Sequence, residues 1–597
     1  MRTSARAHYV KRNHATRVPR AYVYLDTEAH NAEHGRRAVQ TFRCGVAAFD
    51  AKRQDGDGWR DRQWCKASDP RELWGWITAR CRAKARTVLV CHNLAYDVRI
   101  SRAFDLLPAL GWSFKMGRLD AKQAWLVWHR DGRTLFMVDS LSWVPHPLER
   151  LGELCELPKL PLPAWADDDE AWFARCERDV LILADVWRRL MAWVESEDLG
   201  NWKPSGAGQS WAALRHRFMR HDLLVHEDDD ARAAERAAAH TGRCEVWRHG
   251  RLSPGPFTEW DFETAYCQIG AECAVPAQYM GEIVGRRRDL LTRPTEQRAY
   301  LADVTVRTDV PTVPVRTDDG IVWPVGTFTT TLWNNEVGLA IDNGADVQIT
   351  RAWVYRTFPV MGDFCRWILH ELHPATGHPD PIVRAALKHW SRAAIGRTAA
   401  QWPRWERWGT SPEVDVRLST VIDYCDTSRW ELLQLGRELW RKVGTDENPD
   451  AMVSVMSWIM AEARVRLWRA MQTAGMDHVC YVDTDSLFVD AAGDEALRAA
   501  RIPGLRVKGV YGQLECWAPR QIVPAGKLRA SGVPKRNVRV GERVFEADVW
   551  SGLASSLRKG AAHEVEIDTR TFRLSGRDRR RAHLAGSVTA PLTLTSA

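Results

Sequence analysis

Short stretches in which apolar and polar residues alternate give way, along this chain, to longer stretches with helical spacing. Residues 478–490, HVCYVDTDSLFVD, read as two short strands, with Val479 and Tyr481 before an acidic tip and Leu487 and Val489 after it. Just before them, in 452–471, Val453, Met456, Met460, Leu467 and Met471 recur at helical spacing. Further strands are expected at 21–28 (AYVYLDTE), at 87–97 (TVLVCHNLAYD), at the start of 256–266 (PFTEWDFETAY) and as short segments within 290–350. Helical patterns cover 171–187, 228–239 and 381–400.

At 597 residues the chain is too long for one core and should hold three or more structural units. Hydrophobic content of 45% with 27% charged residues is ordinary for a globular protein, and the net charge of +8 suits a polyanionic partner. The thirteen cysteines form no C-x-x-C pair, which argues against a zinc ribbon or iron–sulfur site and for a reducing, cytoplasmic setting. No signal peptide and no apolar run of about 18 residues is found, so no membrane partner is expected. The thirty tryptophans are assigned to cores as replacements for other large apolar residues. Residues 1–20, with Arg2, Arg6, Lys11, Arg12, Arg17 and Arg20, read as a mobile basic arm, contact with nucleic acid being the weaker alternative, and Arg577, Arg579, Arg580 and Arg581 as either a DNA-contacting end or, by slight preference, a disordered basic tail.

The chemistry sits in paired carboxylates. Residues i and i+2 of a strand point the same way, so Asp483 and Asp485 share a face, as do Asp26 and Glu28. Two carboxylates that close resist ionising together unless a cation sits between them, and hard oxygen ligands favour Mg²⁺. A lone D-x-D is more often an acidic turn. On the helix at 381–400, Arg384, Lys388 and Arg392 fall at i, i+4 and i+8 and stack three cations. That arrangement is either a solvated basic face or a site for an anion such as a triphosphate.

Taken together the segments resemble family B DNA polymerases. Tyr481 to Ser486 resembles the YxDTDS signature, and IMAEAR at 459–464 the ITAxAR stretch of the compact members. Asp26-x-Glu28, Asn93-x-x-Tyr96-Asp97 and Asp179 resemble the three exonuclease motifs, and Asp139-Ser140-Leu141 the DSL segment that contacts a frayed 3′ end. Lys159 with Leu162 matches a Kx₂h motif of the protein-primed subgroup. Asp261 with Tyr266 resembles motif A, and Lys388 to Gly396 has the length of motif B. His240-Thr241-Gly242-Arg243 stands where the family has its YxGG/A linker, and the KxY of the thumb falls on Arg520 and Ile522, near Lys527, Arg529 and Lys535.

The resemblance implies an α+β, multidomain chain: an RNase H-like 3′–5′ exonuclease domain followed by a right-hand palm, fingers and thumb. The expected divisions are a basic arm at 1–20, the exonuclease domain at 21–195 and a linker with the start of the palm at 196–255. Palm with one insertion follows at 256–380, then a fingers helix with room for a second insertion at 381–450, palm at 451–515, and thumb with tail at 516–597. It implies Mg²⁺, two ions per site and Mn²⁺ as the alternative, held by Asp261, Asp483 and Asp485 for polymerisation and by Asp26, Glu28, Asp97 and Asp179 for excision. Tyr266 would gate the sugar, and Lys388, Arg384 and Arg392 would meet the triphosphate. Asn93, Ser140, Leu141, Lys159, Arg520, Lys527 and Lys535 would touch DNA. The implied partners are primer–template DNA, dNTPs and a terminal priming protein, with the enzyme acting as a monomer. Two departures stand out. Arg175 replaces the tyrosine that orients the attacking water, and motif B keeps only Lys388 and Gly396. They leave two rival readings open: a polymerase relative acting mainly as an exonuclease, or a non-catalytic DNA-binding replication factor.

Overall fold

The computed structural model describes residues 6–53, 58–118, 124–285, 297–423, 425 and 427–595. Its largest sheet has ten strands and centres on Ala21–His34, which runs parallel to Arg86–Cys91 and antiparallel to Arg37–Ala51. Arg86–Cys91 is in turn parallel to Arg133–Asp139. Alternation sorts the side chains into two cores. Tyr22, Tyr24, Val88 and Val90 pack with Val180, Leu183 and Trp187 of the long helix Asp169–Ser196. Val23, Leu25 and Leu89 point the other way, onto Leu73 and Trp74 of helix Pro70–Ala79.

The strand expected over 87–97 stops at Cys91, and Tyr96 and Asp97 ride on helix Leu94–Ile100 instead. Asn93 takes a left-handed φ of 85°, and the Asp139 carboxylate accepts from the backbone N–H of Asn93 at 3.1 Å and of Leu94 at 3.2 Å. An anion at the helix start meets donors that have no intrahelical partner.

A second, five-stranded antiparallel sheet holds the hairpin Val479–Thr484 and Ser486–Val489, flanked by Phe257–Phe262 and Arg243–Val246. Leu505–Tyr511 adds to its edge. Helix Val453–Ala474 packs beneath it through Leu467, Trp468 and Met471. A third sheet combines Val275–Val284, Asp346–Phe358, Arg298–Thr308 and Val325–Trp333 with the C-terminal Thr593–Leu594. Residues 290–296 of the segment read as strands fall outside the described residues.

Gln401–Ile422 and Arg429–Glu447 form a long two-stranded arm. Its Val416, Leu418, Leu433 and Leu435 join the core of Phe104, Phe114, Leu553 and Leu557, so the arm is anchored on the first sheet. Tryptophans bind the parts together. Trp187 and Trp193 of the long helix, Trp390 of helix Pro381–Arg397 and Trp367 of helix Gly362–Leu372 form one aromatic cluster with Trp143. This cluster fixes the basic helix against the N-terminal sheet.

Both basic ends are more ordered than expected. His8–Val10 pairs with Leu223–Val225, and Arg12 and Asn13 bond to the backbone of His216 and Arg215, so the arm is docked; Arg2 lies outside the described residues. In the tail, Arg581 is 1% exposed and its guanidinium meets Glu245 at 2.7 Å, while Arg243 bonds the same carboxylate. A buried carboxylate between two guanidiniums demands order. Among the described residues no helix is long and apolar enough to cross a membrane.

Candidate active sites

The five-stranded sheet forms the floor of a cleft of about 640 Å³. Asp483 and Asp485 flank Thr484, whose left-handed φ of 65° makes the turn; the Asp485 N–H donates to the Asp483 carbonyl at 2.7 Å. The tip is thus a sharp turn rather than continuous strand. Asp483 accepts from the Thr484 hydroxyl at 3.0 Å. On the neighbouring strand Asp261 pairs in register with Ser486, which brings the third carboxylate beside the tip. Burial first, and Asp261 next, push the Asp485 carboxyl up to about 6. Three hard oxygen donors line one cleft and one of them is reluctant to ionise alone, the donor chemistry of a divalent cation, although among the described residues only Asp26, Glu28 and Asp179 bring three such oxygens within 4.8 Å of one another.

Tyr266 enters the same cleft because Thr264, at φ 51°, turns the strand into helix Ala265–Glu272. Lys388 and Arg392 also line the cleft, both exposed. Arg384 does not join them. Its guanidinium donates to the carbonyls of His373 (3.3 Å) and Leu372 (3.2 Å), capping the end of helix Gly362–Leu372. Two of the three cations, Lys388 and Arg392, therefore face one cleft, and Arg384 does not. Arg520 lines the cleft and donates its backbone N–H to the Tyr481 hydroxyl at 2.8 Å; Ile522 lines it too, though its side chain is largely buried. Lys527 and Lys535 are exposed outside it.

Two features here escaped the sequence. Lys508 lies on the edge strand and bonds Asp261 at 3.0 Å, a pairing across sheet neighbours that no local spacing signals. Gly242 touches the hairpin tip: a Cβ there would meet the Thr484 Cγ2 at 2.6 Å and Cα at 2.8 Å. Any side chain would push the tip aside, which gives the single glycine of the linker a physical reason.

The second cleft, about 310 Å³, opens on the N-terminal sheet and gathers Asp26, Glu28, Asp97 and Asp179. Ligand oxygens of Asp26, Glu28 and Asp179 lie within 4.8 Å of one another. Asp97 stands apart from that trio and accepts from the Thr27 hydroxyl at 2.8 Å. Desolvation raises all four carboxyls above their ordinary value, Asp26 and Asp97 well above it. Asp179 Oδ1 is buried with no hydrogen-bond partner. A buried orphan oxygen beside two more carboxylates fits a cation.

Two side-chain cations are already there. The Lys159 ammonium pairs with Asp179, and Arg175 Nε donates to Glu28 at 2.9 Å while its Nη1 donates to the Leu160 carbonyl. Asn93 lines the cleft. Ser140 does not; it is 1% exposed and bonds His92 Nδ1 at 2.8 Å, so any effect on a ligand passes through His92. Leu141, half-buried, spends its N–H on Asp139 at 2.9 Å and is likewise outside the lining.

No family model matches the sequence. No curated protein matches it either. Solved structures do match. Phi29 DNA polymerase complexed with primer–template DNA and incoming nucleotide aligns over 93% of this chain and all of that one, with TM-score 0.63 and 13% identity. The same polymerase with single-stranded DNA gives TM-score 0.64 at 13% identity, and its post-translocation complex with primer–template DNA gives 0.63, over the same shares of both chains. The two acidic clefts thus sit in a backbone arrangement already known. The chain has the fold of phi29 DNA polymerase.

Proposed function

We propose that this chain is a DNA-directed DNA polymerase of the compact family B type that carries a 3′–5′ exonuclease site. The observation behind the reading is that Asp261, Asp483 and Asp485 share one cleft with Tyr266, Lys388 and Arg392. Mg²⁺ held by the carboxylates would supply charge neutralisation at the attacking and leaving oxygens. The side chains do the rest. Lys388 and Arg392, like charges one helical turn apart, lose their mutual repulsion when a dNTP triphosphate lies between them. The Tyr266 ring packs under the sugar and leaves a 2′-hydroxyl no room. Lys508 keeps the Asp261 carboxylate turned into the cleft.

In the second cleft Asp26, Glu28, Asp97 and Asp179 would hold the ions for excision of a single-stranded 3′ end, with Lys159 beside Asp179 as a cation for the scissile phosphate. The Lys159–Leu162 spacing and the fold likeness support the protein-primed type, working on primer–template DNA as a monomer in the cytoplasm of a host cell.

The test is primer extension, with and without a nucleotide-linked protein primer. Asp483→Ala and Asp485→Ala should abolish nucleotide addition yet still bind DNA, and Tyr266→Ala should raise ribonucleotide use relative to deoxyribonucleotide. Normal extension by either aspartate variant would overturn the assignment.

A further inference from the structure

The exonuclease cleft is not built by the N-terminal sheet alone. One of its walls is Trp550, more than five hundred residues beyond Asp26, at the end of strand Val544–Trp550. This indole is 54% exposed, in a chain that fully buries nine other tryptophans. Nothing in its own strand pair covers it; its cross-strand neighbour is Ile567.

The exposure is not that of a loose end. Strand Val565–Arg573 pairs with both Val544–Trp550 and the Arg37–Gln40 end of strand Arg37–Ala51, so Trp550 belongs to the same sheet as Asp26 and Glu28. The next residue, Ser551, is pinned from several sides. Its carbonyl accepts from Arg99 Nη1 at 2.8 Å, its N–H donates to the Glu566 carbonyl at 2.7 Å, and its hydroxyl accepts from the Glu566 N–H at 3.0 Å. Arg99 is 3% exposed and sits two residues after Asp97 on the same helix. The clamp that fixes Trp550 therefore runs directly to the helix that supplies a cleft carboxylate.

The remaining walls are charged or polar apart from Tyr96, which is half-buried. Lys159 and Arg175 can meet a phosphodiester and the carboxylates can hold cations; Arg175 is tied to Glu28 and the Leu160 carbonyl, and the rings of His92 and Tyr96 are half-buried, which leaves Trp550 as the exposed face for a nucleobase. A terminal base that has left its duplex exposes both π faces, and a fixed indole is the side chain that stacks on one.

We propose that Trp550 is the stacking platform for the unpaired 3′-terminal base of single-stranded DNA in the exonuclease cleft, so that the C-terminal strand pair completes that site. The proposal rests on the exonuclease reading above and assigns a binding role, not a chemical one.

The experiment uses the full-length protein and a short oligothymidylate ending in 2-aminopurine, whose fluorescence falls on stacking. Binding is measured with Ca²⁺ in place of Mg²⁺ to suppress cleavage, and single-turnover excision is followed separately with Mg²⁺. Trp550→Ala should lose the quench, weaken binding and raise the DNA concentration for half-maximal excision by about 5- to 100-fold, with a smaller change in the rate at saturation. Trp550→Phe should restore most of the quench. Trp408→Ala, which removes a tryptophan 56% exposed on the two-stranded arm, should match wild type. An unchanged quench and unchanged half-saturation in Trp550→Ala, with its melting temperature intact, overturn the platform and leave the exonuclease reading standing. A wild type that cleaves nothing overturns the exonuclease reading, and the quench comparison still decides whether Trp550 stacks a base.

Discussion

Lys508 Nζ stands 3.0 Å from Asp261 Oδ1 and 3.4 Å from Glu259 Oε1, so an ammonium group already occupies one of the three carboxylates of the larger acidic cleft. Glu259 is 2% exposed and also accepts from Arg529 and from the Tyr511 hydroxyl, both at 2.8 Å. The lysine therefore bridges a satisfied buried carboxylate and a half-exposed one that the proposed function makes a metal ligand. Burial opposes its charge, but Asp261 and Glu259 outweigh that and raise its pKa, so it stays cationic across the working range.

Lys508→Met should expose that competition. Asp261 loses its partner, so the metal-free protein should melt at a lower temperature, and Mg²⁺ should restore more of the loss than it adds in wild type. The half-saturating Mg²⁺ concentration in a melting titration should fall by about 5-fold, since a half-exposed pair is worth about 1 kcal/mol at most. An unchanged midpoint would mean that the ammonium does not compete with the ion.

Arg175 is the second cation placed on a carboxylate, 2.9 Å from Glu28. A guanidinium has no acceptor and keeps its proton, so it cannot orient water as a phenol does. It also holds one oxygen of a ligand. We expect slow, metal-dependent excision in wild type. Arg175→Tyr should free Glu28 and speed single-turnover excision by about 10-fold or more. Asp26→Ala/Glu28→Ala sets the floor. A fast wild type slowed by Arg175→Tyr would mean that another group positions the water.

Comparing these two cations shows what sequence can carry. Asp26 and Glu28, or Asp483 and Asp485, are close in the chain, and their spacing announces them. Arg175 was visible because it breaks a motif. Lys508 and Trp550 act across strands that meet only in the folded sheet, and neither LRVKGVY nor VFEADVW has a local pattern that points to a carboxylate. The same reasoning explains Arg384, whose helical spacing matched Lys388 and Arg392. The carbonyls of Leu372 and His373 claim it, and they come from a different helix. The strand read through Asp97 failed for a related reason, because Asp139, far along the chain, starts the helix there. The docked arm and tail were likewise hidden. Their composition is that of solvated basic ends, and the contacts that order them lie more than two hundred residues away.

The tail offers a stability test. Arg581 and Arg243 share the Glu245 carboxylate, and all three side chains are at most 2% exposed. Glu245→Ala strands two buried guanidiniums and should cost about 3–5 kcal/mol, the usual penalty for breaking a buried pair. Arg581→Ala leaves Glu245 with Arg243 and should cost less. The order of the denaturant midpoints, wild type above Arg581→Ala above Glu245→Ala, is the measurement. A variant truncated before Arg577 that unfolds at the wild-type midpoint would mean the tail contributes nothing.

The last expectation concerns pH at the cleft of Asp261, Asp483 and Asp485. Burial and the nearby Asp261 raise the Asp485 carboxyl from 3.8 to about 6 in the folded chain. Between those values the native state holds a proton that the unfolded chain has released, so this group's contribution to stability is full below about pH 4 and lost as pH rises through about 6. The loss is the energy of ionising a buried carboxylate beside Asp261, offset only in part by Lys508, and a divalent cation removes it. Mg²⁺ should therefore raise the melting temperature more at pH 7.5 than at pH 5, where the proton competes for the same oxygen. Asp485→Asn, which cannot ionise, should melt higher than wild type at pH 7.5 without metal and respond little to Mg²⁺ at either pH. An Mg²⁺ response equal at both pH values, or undiminished in Asp485→Asn, would place the ion elsewhere than on this carboxylate.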